Sequence, residues 1–441
     1  MSNEPAFHLH DMHRIHFIGI GGIGMSALAR LCLHEGKIVS GSDRTTSEIT
    51  QALSGEGVTV YPEQRAVNIS ADMHLVIYTE AMSQEHEELV QARALGIPTI
   101  NYFDALGQVA NEYYLIAVAG SHGKTTTTAM IIDIFEEAGL DPSAVVGSLR
   151  TKTKSNYRAG KSKYFIVEAC EYKRDFLSLT PDVLVITNIE HEHVDYYKNL
   201  REVQNAFKEF AGQVREGGAV LVNFGGGSIA PVLEGVRVNV IDYGKYFDPT
   251  LTLHMPGVHN QMNAAAARAV ASCVGIDTDT ARTALENFAG TWRRFEYKGE
   301  LKRADGQPMN VKVYDDYGHH PTEIKATLAG MRELYPDKRI ILVFQSHTYS
   351  RTHELFDDFV SALGGANSTV LVPIYSAREE NVSAVSHTKL AEAMRTQNTD
   401  AQACDSFDEA IAIVQNTATE NDVVLVMGAG NVTQIATQLV S

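Results

Sequence analysis

Short β-branched apolar runs alternate along the chain with longer stretches of helical periodicity, the pattern of parallel strands joined by crossover helices. The runs fall into three series. The first predicts strands at 14–18, 38–42, 58–61 and 75–78, with a helix over 25–34 after a glycine turn. The second opens at 113–118 and continues at 164–168, 183–187 and 219–222, and 264–274 has the helix formers and apolar stripe of a helix following His259. The third supplies strands at 311–314, 340–344, 369–373 and 423–427. An α/β protein is expected, with domains at 1–112, 113–292 and 293–441 set by where each series restarts. There is no internal repeat and no low-complexity linker.

Composition narrows the setting. The 441 residues are 44% hydrophobic and 21% charged, and no run approaches the ~18 apolar residues that span a membrane. A net charge of −17 opposes nonspecific attraction to nucleic acid or anionic lipid. Cys32, Cys170, Cys273 and Cys404 lie far apart with no CxxC pair, which points to a reducing compartment. The first eleven residues are polar and lack the cationic and apolar segments of a secretory signal. Cytoplasm is the expected location.

Two glycine clusters carry the first chemistry. Gly19, Gly21, Gly22 and Gly24 lie between a predicted strand and a helix, where small residues let backbone amides approach a pyrophosphate. Asp43, 19 positions after Gly24, suits a ribose hydroxyl at the end of the next strand. The alternative is a turn needed only for tight strand–helix packing. The second cluster, Gly120-Ser121-His122-Gly123-Lys124-Thr125-Thr126, offers an amide nest, a cation and a magnesium-holding hydroxyl for a nucleoside triphosphate. Its spacing departs from the usual phosphate loop, because Val118 stands where the first glycine is expected.

Further candidates sit after later strands. Glu168 and Glu171 follow one, and Asn188, Glu190, His191, Glu192, His193 and Asp195 follow another. Carboxylates there suit magnesium, while zinc is disfavoured because the histidines lack helical HExxH spacing and no cysteine lies near. Asp315, Asp316, His319, His320 and Glu323 crowd a third strand end, where a helix cap is the structural alternative. Arg351, and Arg293 with Arg294 after Trp292, suit carboxylate or phosphate recognition. Gly428-Ala429-Gly430-Asn431 is one more glycine turn after a strand.

Taken in order along the whole chain, four features resemble the Mur ligase family, the ATP-dependent amide-forming enzymes of peptidoglycan precursor synthesis. They are 120–126, Glu168, Thr187-Asn188-Ile189-Glu190 with His193, and Gly257-Val258-His259-Asn260-Gln261-Met262-Asn263-Ala264. Segments 19–24, 315–321 and 346–352 are most similar to the branch that joins L-alanine to UDP-N-acetylmuramate. The resemblance implies a Rossmann-like first domain that takes the UDP part at Gly19, Gly21, Gly22, Gly24 and Asp43, with no nicotinamide. It implies a central P-loop domain binding ATP through Gly120, Ser121, His122, Gly123, Lys124, Thr125 and Thr126. His259, Asn260, Asn263, Arg294 and Asp316 would lie by the nucleotide, and a Rossmann-like third domain would help bind the amino acid. Mg2+ would sit on Thr125, Glu168 and His193, and the catalytic set would be Lys124, Glu168, His193, His319, His347 and Arg351.

The implied reaction phosphorylates the muramyl carboxylate, and the amine of the amino acid then displaces phosphate. A monomer or homodimer is expected, with no nucleic-acid or membrane partner. Three positions depart from the family: Glu192 replaces an Asp, Thr348 an Arg found in some relatives, and Phe207 with Lys208 lies where some carry a carbamylated lysine. That modification is not expected here. The alternatives are a recycling ligase that attaches a tripeptide to the same sugar nucleotide, an NAD-dependent oxidoreductase and a non-enzymatic nucleotide sensor. The oxidoreductase leaves Lys124, Glu168 and His193 unexplained.

Overall fold

In a computed structural model that describes residues 7–193, 196–303, 305–377, 379–381 and 385–441, each strand series closes into its own sheet. The first consists of β1 (Arg14–Ile18), β2 (Ile38–Ser42), β3 (Thr59–Tyr61), β4 (Leu75–Tyr78) and β5 (Thr99–Asn101), all parallel in the order β3-β2-β1-β4-β5. β4 is a continuous apolar run, and β1 is buried from Ile15 to Ile18 with His16 among the apolar residues, because both faces of the sheet are covered. The strand order reverses between them, so the turn from β1 into the helix Ile23–His34 opens at the switch point where such sheets bind ligands.

The second sheet holds β6 (Tyr114–Ala119), β7 (Ser143–Arg150), β8 (Ser155–Arg158), β9 (Tyr164–Glu168), β10 (Val183–Ile186), β11 (Ala219–Val222) and β12 (Asn239–Asp242). Its order is β12-β11-β10-β6-β9-β7-β8, parallel except for β8 against β7. Central β6 is buried from Leu115 to Ala119, and it feeds the helix Lys124–Glu137. The β7–β8 hairpin, which no apolar run announces, is held by charge. Arg150, 3% exposed, donates to Glu136 Oε1 at 2.9 Å and to Asp133 on that helix, so burial of the ion is compensated.

The third sheet contains β13 (Glu296–Lys302), β14 (Pro308–Asp316), β15 (Arg339–His347), β16 (Ser368–Tyr375), β17 (Ala401–Ala403) and β18 (Asp422–Met427), ordered β13-β14-β18-β15-β16-β17 with β13 antiparallel. The fold is therefore α/β with three domains. By compactness the first two sheets share one unit, 1–248 with 263–288, and the third forms another, 249–262 with 289–441. Within the first unit the helix Ile23–His34 packs against β7 and β8, and Asn156 donates its side-chain amide to Ile23 O. The helix expected at 264–274 runs Val258–Cys273, and its first turn counts with the second unit.

Candidate active site

The loop after β6 has its shape imposed by its neighbours. Val118 lies inside β6, so the loop begins at Gly120 and is two residues shorter than the usual pattern. Gly120 takes φ +130°, and a Cβ there would lie 2.1 Å from Thr187 Oγ1. Gly123 takes φ +81°, with Asn263 Oδ1 2.5 Å from where its Cβ would be. Only glycine satisfies both positions. The segment after β10 pins the rest. Asn188 accepts from His122 N at 2.9 Å through Oδ1 and donates to His122 O at 3.0 Å, while its backbone oxygen accepts from Ser121 N at 3.0 Å. Ser121 Oγ accepts from Glu190 N at 2.9 Å. Thr125 and Thr126 open the helix, both buried, where free amides and the helix dipole favour an anion.

Lys124 extends back along this loop. Its Nζ donates to Gly120 O, to Ser121 O at 3.0 Å and to Glu171 Oε1 at 3.0 Å. Burial works against the ammonium charge, but Glu171 and then Glu192 outweigh it, so the pKa is raised and the side chain stays cationic. Glu171 is 1% exposed; burial pushes its carboxyl up, Lys124 and His193 overrule this, and it settles at about 2.

The expected magnesium ligands divide into two sets. Thr125 Oγ1 donates to Glu168 Oε1 at 2.9 Å, and Glu168 Oε2 accepts from Gly147 N at 2.7 Å. His193, at φ +53°, turns Nε2 to Glu171 Oε1 at 3.2 Å, and Glu171, Glu192 and His193 present ligand atoms within 4.8 Å of one another. Two carboxylates and one imidazole with no thiolate suit a hard divalent cation, so the donor chemistry fits magnesium. Glu192, one of the three departures, is acidic and buried beside His193. His191 instead bonds Tyr197 O at 2.9 Å, Asp195 lies outside the described residues, and Lys208 pairs with Glu234 at 2.9 Å. Glu168→Gln keeps the shape but removes the charge, and should raise the Mg2+ concentration for half-maximal turnover about tenfold or more. An unchanged magnesium titration would remove Glu168 from the metal.

At the first glycine turn, Asp43 Oδ2 accepts from Gly21 N at 2.9 Å and Oδ1 from Thr45 N at 3.0 Å. Gly21 and Gly24 leave room for Asp43 and for the Tyr102 ring, and Gly22 caps the following helix. At the carboxyl ends of β2, β3 and β4 opens a cavity of about 630 Å³ of mixed charge, with Arg44, Arg65 and His86 facing Glu63, Glu85 and Glu87, while Asp43 lines a smaller one of about 210 Å³.

The second unit gathers the remaining candidates at the ends of β14 and β15. His319 and His347 lie with ring centroids 5.6 Å apart, and Tyr375 stacks on His347 at 5.6 Å. Arg351 Nη1 is 3.2 Å from His347 Nδ1. Burial, then Arg351, pushes His347 down to about 4, and burial pushes His319 well down against Glu323, so both rings are neutral near pH 7. Asp316 is raised by burial to about 6, against Arg294, and its oxygens accept from Phe295 N at 2.8 Å and Gly318 N at 2.7 Å. Arg294 lies 4.9 Å over the Tyr317 ring and 3.9 Å from Glu323. Thr348 caps the helix Tyr349–Glu354 at φ +66°. His259 and Asn260 belong to this unit, while Asn263 belongs to the first.

Arg293, read as suited to carboxylate or phosphate recognition, points inward at 4% exposure, while Glu171 and Glu192, both carboxylates expected to suit magnesium, join His193. Position after a strand was the available signal, and it does not separate Glu168 from Glu171.

Three family models match in order: the catalytic domain of the Mur ligase family over 14–114, the Mur ligase middle domain over 118–247, and the Mur ligase glutamate ligase domain over 293–430. The UDP-N-acetylmuramate–L-alanine ligase of Clostridium kluyveri is 40% identical over 96% of this chain and 96% of its own length. That of Agathobacter rectalis is 38% identical over 96% and 97%. The crystal structure of the Thermotoga maritima UDP-N-acetylmuramate–alanine ligase matches with TM-score 0.80 and 27% identity, covering 97% of this chain and 98% of that one. A murein peptide ligase from Psychrobacter arcticus shares the fold at TM-score 0.69 and 24% identity over 97% of this chain and 98% of its own.

Proposed function

We infer, because the chain belongs to the Mur ligase family, that it is an ATP-dependent ligase joining L-alanine to the lactyl carboxylate of UDP-N-acetylmuramate. The observation that carries this is similarity to alanine-adding relatives along nearly the whole of both chains. It also favours alanine addition over tripeptide recycling, because these full-length relatives at 38–40% identity are alanine ligases. Peptidoglycan precursor synthesis is the process served.

The chemistry follows from the carboxylate's weakness as an electrophile. Its oxygen attacks the γ-phosphorus, the bond to the β-phosphate oxygen breaks, and ADP leaves. The alanine amine then attacks the acyl phosphate carbon, expelling inorganic phosphate and losing a proton. Lys124 and the amides of the loop offset triphosphate charge that would repel the incoming carboxylate. Thr125, Glu168, Glu192 and His193 would hold magnesium, which would add to that offset. The guanidinium of Arg351 suits the alanine carboxylate, and neutral His319 and His347 do not repel the amine end.

The glycine turn with Asp43 would take the UDP part, with domain limits near 112 and 292. No described helix is long and apolar enough to cross a membrane, and we place the reaction in the cytoplasm, on a monomer or homodimer.

The test is phosphate release from ATP with UDP-N-acetylmuramate and each of L-alanine, glycine, L-serine and a cell-wall tripeptide, with product masses measured. Ligation of L-alanine is expected. Turnover with the tripeptide alone would move the protein to the recycling branch, and ATP binding without turnover would make it a sensor.

A further inference from the structure

Glu171 holds two functional side chains at once. Lys124 has three ammonium hydrogens, and its three partners are Gly120 O, Ser121 O and Glu171 Oε1. Two of these are carbonyls of the phosphate loop itself. To reach a triphosphate, Lys124 must exchange partners, and Glu171 is the one that carries charge. The same Oε1 lies 3.2 Å from His193 Nε2. Tyr197 fixes the backbone beneath by donating to Glu171 O at 2.6 Å, and the Tyr172 ring lies 4.8 Å from that of His193. The carboxylate therefore has little freedom, and at 1% exposure it has no bulk water to replace a lost partner.

We propose that Glu171 is a positioning residue that changes partners in the cycle, restraining Lys124 while the site is empty and orienting His193 toward the metal once Lys124 has moved to the phosphates. This rests on the ATP-dependent reading of the loop. Two opposite effects follow. Without metal, ATP must break the Lys124–Glu171 pair and then lie near an uncompensated carboxylate, so Glu171 weakens nucleotide binding. With metal, the same negative charge beside His193 and Glu192 favours the cation, so Glu171 strengthens metal use.

Glu171→Gln removes the charge and keeps the size. ATP affinity measured by titration in EDTA should tighten about tenfold, while the Mg2+ concentration for half-maximal turnover should rise about tenfold. Loss of fold would weaken both, so the opposed signs separate positioning from damage, and an unfolding midpoint is recorded alongside. Metal-free affinity that is unchanged or weaker, or an unchanged magnesium requirement, would overturn the proposal. Should the variant not fold, Glu171→Asp, which withdraws the carboxylate by one methylene, should move both titrations in the same directions by less, and no movement would overturn it. Absence of ATP binding by the unaltered protein, with or without Mg2+, would instead overturn the ATP-dependent reading.

Discussion

Lys124→Ala should lower turnover by about 10³-fold or more, the scale expected when a cation on a transferring phosphoryl group is removed. The loop around it is pinned by Thr187 and Asn188, so the amide nest should survive and nucleotide should still bind, more weakly. The variant also leaves Glu171, 1% exposed, with its cationic partner gone, at a stability cost of about 3 kcal/mol. Turnover is therefore to be measured well below the variant's own unfolding midpoint. Ligation within tenfold of the unaltered protein would remove Lys124 from the phosphate-handling role.

Arg293→Ala should have the largest effect on stability, about 3–5 kcal/mol within the second unit. Arg293 Nη1 donates to Gly430 O at 3.0 Å and Nη2 to Gly428 O, and Nε lies 3.5 Å from Oδ2 of the fully buried Asp315. The guanidinium also packs 5.1 Å from the centre of the Tyr317 ring. Its removal leaves two carbonyls short of a donor and a buried carboxylate short of its cation. Lysine cannot restore a forked set of partners, so Arg293→Lys should recover little. Trp292 is the chain's single tryptophan, so its fluorescence in a denaturant series reads this unit directly. A shift below about 1 kcal/mol would mean that the glycine turn of 428–430 holds its shape by other means.

How much was legible depended on the range of the interaction. Strands such as 115–119 and 183–186 are apolar because both sheet faces are covered, and local pattern reports that directly. The edges β5, β12 and β17 carry weak patterns, being three or four residues long with exposed or half-buried positions among them. Their pairing with longer neighbours defines them. The phosphate loop was legible from type and order alone, despite Val118, because the glycines and Lys124 are contiguous in the chain.

The amino-acid order by itself determined the three strand series, the two glycine turns and the chemistry that a glycine loop with a following lysine and threonine can perform. Tertiary structure alone decided which charges meet. Lys124 and Glu171 are 47 positions apart, Glu171 and His193 are 22, and Arg293 reaches Gly430 across 137. Burying an ion is unfavourable unless a partner arrives with it, and that partner is chosen by the packing of whole sheets, which no local spacing encodes. For the same reason Arg293 and Arg294, adjacent and alike in the chain, part company in the fold, one locked beneath a glycine turn and the other over Tyr317.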